Sequence, residues 1–175
     1  MTRPESLLRR FIRDENGTAV VEFVLVMPFL LFFFLAGVES GFAMLKQSLL
    51  DRAVDIVMRD LRIGNIQNAT NEVLRNRICA QPTMLTNCDD QLAIEILAID
   101  RTSWAMPTGP VPCVDRVANI NPVTTLTIGQ QNAVMLVRVC AIQDALFPFT
   151  GVGAAMKVDN TGYAVVAIST FVNEP

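Results

Sequence analysis

The chain has 175 residues, 51% of them hydrophobic and 18% charged, with 14 Lys and Arg, 17 Asp and Glu and no histidine. That length allows one small domain plus an extra element. A net charge of −3 leaves no basic footprint for nucleic acid, and without histidine the Ser-His-Asp and Cys-His nucleophile systems and most zinc hydrolases are excluded.

In chain order, the first element is a basic leader, residues 1–17, with Arg3, Arg9, Arg10 and Arg13 ahead of an apolar run. Basic residues ahead of a span hold that end in the cytoplasm, so everything beyond about Gly41 is expected to be exported. Without the leader the chain keeps ten basic against fourteen acidic residues. Residues 23–38 are apolar without a break and are extended backwards by Ala19, Val20 and Val21. Around twenty apolar residues cross a bilayer as a helix. A secretory signal has a shorter core and a small-residue cut site. Here the following sequence, ESGFAMLKQSLLDRAVDIVMRDLRIG, reads as more helix. Leu45, Leu49, Ala53, Ile56, Val57 and Leu61 recur at helical steps and mark one face. Asp55 and Arg59 are an acid-before-base pair one turn apart. Arg62 suits the negative end, and Gly64 is a natural stop. One helix over residues 18–63 is expected, about 70 Å long, its first half in lipid and its second packed on a domain. Pro28 lies in the lipid half, where proline is tolerated with a kink or a local loss of hydrogen bonding.

Glu22 stands inside this run. A carboxylate at bilayer depth costs on the order of 3 kcal/mol on insertion scales, so either it snorkels at the headgroup boundary or it is retained for a purpose. The arginine-rich leader, Gly17, then Thr18-Ala19-Val20-Val21-Glu22-Phe23 and a long apolar helix resemble a type IV prepilin processing site of the Flp, tight-adherence branch. The resemblance implies cleavage of the Gly17–Thr18 bond by a membrane aspartyl prepilin peptidase and a mature chain beginning at Thr18. Elementary electrostatics fits such a cut. The new α-amine has a reference pKa near 8. Ammonium and carboxylate are each costly in lipid and partly cancel when paired. Four residues apart, Thr18 and Glu22 can pair within one chain or between neighbouring parallel helices, which makes Glu22 a candidate register device.

The helix continuation LLFFFLAGVESGF, with Gly37 and with Glu39 placed near the outer interface, and the closing TFVNEP are similar to TadE-like proteins. The resemblance implies a minor pilin or pseudopilin. It leaves TadE versus TadF open. The implied partners are the prepilin peptidase, an inner-membrane platform protein driven by a cytoplasmic ATPase, TadF-like and Flp major pilins, and membrane lipid. The implied location is the bacterial inner membrane, single-pass, with the N-terminus cytoplasmic and the C-terminal domain periplasmic.

In the remainder, residues 64–175, Thr70 is a candidate cap for a short helix through about Cys79. Residues 92–99, 133–142 and 163–172 are β-rich. Leu92, Ile94, Ile96 and Ala98 share one face, as do Met135, Val137, Val139 and Ala141, with Arg138 opposite. Three strands predict an antiparallel sheet on the exported half of the long helix, an α+β fold in which Leu49, Ala53 and Val57 become buried. Residues 101–128 carry Pro107, Pro110, Pro112 and Pro122 and read as a long loop. The apolar segment LFPFTGVGAAM, residues 146–156, is either a contact surface for a neighbour or, as favoured here, a connection folded back under the sheet.

Cys79, Cys88, Cys113 and Cys140 all fall in the exported part and suggest two disulfides, with three connectivities open. Cys79–Cys88 and Cys113–Cys140 are favoured because both close modest loops. A zinc site is disfavoured, since no C-x-x-C pair exists. The acidic pairs Asp89/Asp90 and Glu95/Asp100 match no calcium loop, and no phosphate-cradling motif occurs. No cofactor, no metal and no enzymatic activity are expected. The rival expectations are an uncleaved, signal-anchored periplasmic binding or scaffold module and, more distantly, an anchored enzyme.

Overall fold

Forty-five consecutive residues, Thr18–Arg62, form helix α1. At 1.5 Å per residue it is about 68 Å long, and it continues through Pro28. The computed structural model describes residues 17–173 except 119, 121, 123, 124, 128, 150, 160 and 161. The leader segment 1–16 and the closing Glu174 and Pro175 lie outside the described residues.

Helix α1 stops where Gly64 predicts. Gly64 adopts φ +77°, its N–H reaches the Leu61 carbonyl at 3.2 Å, and the Asn65 N–H reaches that of Asp60 at 3.0 Å. This Schellman pair satisfies carbonyls that the helix end leaves open, while Arg59 and Arg62 complement the dipole. Gly64→Ala is therefore expected to cost about 1 kcal/mol, because a Cβ is strained on left-handed backbone. The unfolding midpoint, followed by circular dichroism in detergent, should fall by about 2–4 °C.

Beyond the turn, Thr70 Oγ1 accepts the Val73 N–H at 3.3 Å and caps helix α2 (Asn71–Cys79). A four-residue helix α3 (Cys88–Gln91) leads into strand β1 (Leu92–Ile99). Strand β2 (Val134–Asp144), a one-turn helix α4 (Gly151–Ala155) and strand β3 (Gly162–Val172) follow. The strands form an antiparallel sheet in the order β1-β2-β3. Strand β2 begins one residue later than the sequence predicts and continues two residues further, to Asp144.

The register brings the two predicted apolar faces together: Leu92 opposes Ala141, Ile94 opposes Val139 and Ile96 opposes Val137. Tyr163, Val165 and Ala167 extend that face onto β3. Leu50, Ala53, Val54, Val57 and Met58 of α1 cover it, with Leu74 and Ile78 of α2 filling one side. The result is the expected α+β arrangement, a helix laid on a three-stranded sheet. On the opposite face Arg138 pairs with Glu95, its direct cross-strand partner, through Nε at 2.7 Å.

The packed face of α1 differs from the expected one. Ala53 and Val57 are buried, but Leu49 is only half-buried, and Leu45 and Ile56 are 44% and 38% exposed. The covered stripe runs Glu39, Lys46, Leu50, Val54, Met58, rotated by about one residue. Two of its members are charged, so a count of apolar residues alone places the face too far round.

The sulfurs pair as Cys79–Cys88, joining α2 to α3, and Cys113–Cys140, pinning the proline-rich connection to β2. That connection is held further along as well. Arg138 Nη1 donates to the Gly109 carbonyl at 3.0 Å. Residues 125–127 form a parallel bridge on the outer edge of β1 at Ile96, covering part of an edge that would otherwise be open to other strands.

Candidate functional site

The first turns of α1, up to about Leu31, stand clear of the domain. Gly17 precedes it without a side-chain cap, and its first turn contains no acid. The eighteen-residue window that makes this helix long and apolar enough to cross a membrane contains no buried residue. Phe23, Leu25, Phe29, Phe33 and Phe34 are each at least 61% exposed. Contiguous apolar surface of this extent marks an interface with lipid or protein. Glu22 is exposed on the same stretch, one turn from Thr18. Both therefore sit at the end of the helix where the backbone dipole is positive, and Glu22 is the first acid that can offset it.

At the other end of the apolar run, Glu39 is 1% exposed. Its carboxylate is folded into the protein. Oε1 accepts the Leu146 N–H at 3.2 Å and Oε2 the Phe147 N–H at 2.9 Å. The connection between β2 and β3 is thus folded onto α1 rather than under the sheet. Gly151 there has φ +43°, and a Cβ on it would lie 3.2 Å from that of Ala36. A Cβ on Gly153 would lie 2.6 Å from the Phe147 carbonyl oxygen. The two glycines of GVG thus serve different ends, a left-handed turn against the helix and a close backbone crossing.

Two turns above Glu39, Lys46 is also buried, its ammonium 5.6 Å from the centre of the Tyr163 ring. Burial holds the Lys46 pKa below the ordinary lysine value, against the opposing charges of Glu39 and Asp144. Burial, and then the charge of Glu39, push the Tyr163 phenol up. Next along, Gln47 treats the outer edge of β3 as a strand would. Its Nε2 donates to the Val166 carbonyl at 2.6 Å and its Oε1 accepts the Val166 N–H at 3.2 Å. Asp55 accepts the Ser169 hydroxyl at 2.9 Å. Helix and sheet are joined by directional bonds as well as by apolar contact, so the stem is fixed to the domain.

The base of the β2–β3 connection is stapled by Arg116, whose guanidinium donates to Asp144 and Asp159, each at 2.8 Å. None of Glu39, Lys46, Gln47 or Arg116 is recognisable as a partner from local sequence. The one available signal is phase: Glu39, Ala43, Lys46, Leu50, Ala53 and Val57 advance by three or four residues and form one stripe.

The acidic residues Glu95 and Asp100 have structural roles here. Glu95 is engaged by Arg138. Asp100 closes a turn by accepting the Thr102 N–H and the Ser103 hydroxyl, which lowers its pKa, the Thr102 backbone bond first. From the closing motif, the Asn173 N–H donates to the Ala133 carbonyl at 3.0 Å, and its Nδ2 to that of Gly129 at 3.0 Å. This asparagine fastens the end of β3 to the turn before β2.

No curated protein and no solved structure matches the chain. The family model of TadE-like protein matches residues 17–59, the segment that holds Gly17, Glu22, Phe23, Pro28, Gly37 and Glu39 and runs on into the half of α1 that carries the domain. Over that segment the chain is similar to TadE-like proteins.

Proposed function

We propose that this protein is a minor pilin or pseudopilin of a tight-adherence, type IVb pilus: a structural subunit without catalytic activity, trimmed by prepilin peptidase at the Gly17–Thr18 bond. The observation that carries this reading is an uncovered apolar half-helix whose one interior acid lies a turn from that bond, inside the TadE-like segment. The association of the TadE-like family with tight-adherence pilus systems supports it. The subunit sits in the inner membrane with its arginines in the cytoplasm and its disulfide-bonded domain in the periplasm, an oxidising compartment. Assembly then proceeds by association. Stems pack in parallel with Flp-type and TadF-like subunits, a platform protein receives them, and Glu22 sets their register. The domain, fixed to the stem through Glu39, Lys46 and Gln47, supplies partner specificity.

Intact-mass analysis of the protein extracted from membranes tests the processing step. The expected chain begins at Thr18 when the peptidase is present, and Gly17→Leu should leave the leader attached by crowding the cleavage site. A chain that still begins at Met1 in the presence of abundant peptidase overturns the reading in favour of an uncleaved anchor.

A further inference from the structure

The segment 146–156 has no counterpart in the assembly mechanism described above, yet Leu146, Phe147, Gly151 and Gly153 within it are tied to α1 or to the chain's own backbone. We propose that this segment is a second membrane contact, a foot that inserts beside the stem into the leaflet on the domain's side, with lipid acyl chains as its partner. The inference rests on the reading of α1 as a membrane span.

The geometry fixes the level of the foot. The longest charge-free run of the helix lies between Glu22 and Glu39, so a hydrocarbon core about 30 Å thick is centred near residues 30 and 31. At 1.5 Å per residue, Phe32 and Ala36 then lie about 2 Å and 8 Å beyond the midplane on the domain's side. A Cβ on Gly151 would be 3.2 Å from Ala36 and 3.5 Å from Phe32, so α4 occupies that same level. Shifting the span by a full turn still leaves Ala36 inside a half-thickness of about 15 Å.

The chemistry of the segment suits this solvent. Phe149 is 88% and Leu146 50% exposed, and Val152 and Met156 continue the apolar surface. Backbone groups at this depth need partners within the protein. The Leu146 and Phe147 amides have the Glu39 carboxylate, and the Met156 amide has the Val152 carbonyl at 3.0 Å. Lys157 holds its ammonium 5.3 Å from the centre of the Phe149 ring, an apolar body with a cationic tip of the kind that favours the headgroup boundary. Below the foot lies lipid-exposed helix; above it, Arg116 locks both ends of the connection to the folded domain.

The test uses the full chain reconstituted in phosphatidylcholine vesicles at low protein content. Trp104 is the sole tryptophan, so Phe149→Trp in a Trp104→Phe background gives a single reporter at a position already open to its surroundings. Lipids brominated near the headgroup end or near the methyl end of one acyl chain serve as quenchers, and Phe29→Trp in the same background reports the stem. The Phe149→Trp reporter should lose most of its emission to the shallow bromines and less to the deep ones, while Phe29→Trp should be quenched more by the deep label. If Phe29→Trp is quenched and Phe149→Trp is not, the foot is overturned and the span stands. Two unquenched reporters overturn both. Emission from Phe149→Trp that shifts to the blue with rising protein content, insensitive to bromine, assigns the surface to a second copy and also overturns the proposal.

Discussion

Replacing Glu39 with alanine is expected to destabilise the folded domain by about 3 kcal/mol, a fall in unfolding midpoint of roughly 6–12 °C. The carboxylate is fully buried and accepts two backbone N–H groups more than one hundred residues away in sequence. Hydrogen bonds to a charged acceptor contribute about 1.5–3 kcal/mol each, and a buried donor left without a partner costs its desolvation besides. Glu39→Ala also withdraws a negative charge that opposes the desolvation of Lys46. Glu39→Gln keeps the shape and one acceptor oxygen, so about half the loss should remain. Adding Lys46→Met to Glu39→Ala should return part of the stability, because the buried ammonium is gone, but the Leu146 and Phe147 amides stay open. The pair should therefore be non-additive. Thermal unfolding in detergent measures the series, and limited proteolysis within residues 146–156 reports whether the segment has come loose. An alanine variant that melts with the wild type and keeps that segment protected would show that the clamp contributes nothing.

The parts of this fold that could be read from sequence are those fixed by short-range pattern. The β-rich runs Leu92–Ile99 and Ala133–Ile142, each with a single charged residue, Glu95 and Arg138, mark strands and their inward faces, and the observed register joins those faces residue by residue. Gly64, Thr70 and the ends of α1 and α2 are legible because helix ends demand particular chemistry close by. The favoured cysteine pairing rests on loop length and agrees with the disulfides found.

What pattern misses is decided at long range by polar groups. An apolar count places Leu45 and Ile56 on the packed face of α1. The face is set instead by Glu39 and Lys46, which look like solvent residues until their partners 107 residues away and across the sheet are known. Glu39 also explains why the connection leaves the sheet at Leu146 and Phe147 and follows the stem. The short helix α3 also escapes prediction, since four residues show no period and its position depends on the disulfide that opens it. In the stem, Glu22 and Gly17 are conspicuous from sequence because their cost is local: a charge in an apolar run needs no fold to make it anomalous.

For Glu22→Ala the expected result is normal trimming and failed assembly. The bond to be cut lies five residues upstream, and the exposed position of Glu22 gives its side chain no part in holding that bond. The proposed cut would leave an ammonium on Thr18 at the positive end of a helix whose first turn offers no acid. In lipid that charge is left uncompensated in the alanine variant, both within the subunit and toward a neighbour. Each 1.4 kcal/mol lost at the contact lowers association tenfold, and an unpaired charge in an apolar interface costs several kcal/mol. Incorporation into purified pili or into a cross-linked pilin complex should therefore fall by at least about tenfold while the mature mass is unchanged. Glu22→Gln separates charge from shape. If pairing with the ammonium is what counts, it should assemble as poorly as alanine; if a polar atom suffices, it should assemble well. A residue that merely marks the headgroup boundary behaves differently again, since removing it lets the span slide by a turn without loss of packing. Wild-type incorporation of Glu22→Ala would thus reduce Glu22 to a boundary residue, and the register of the bundle would have to be set by the aromatic stem itself.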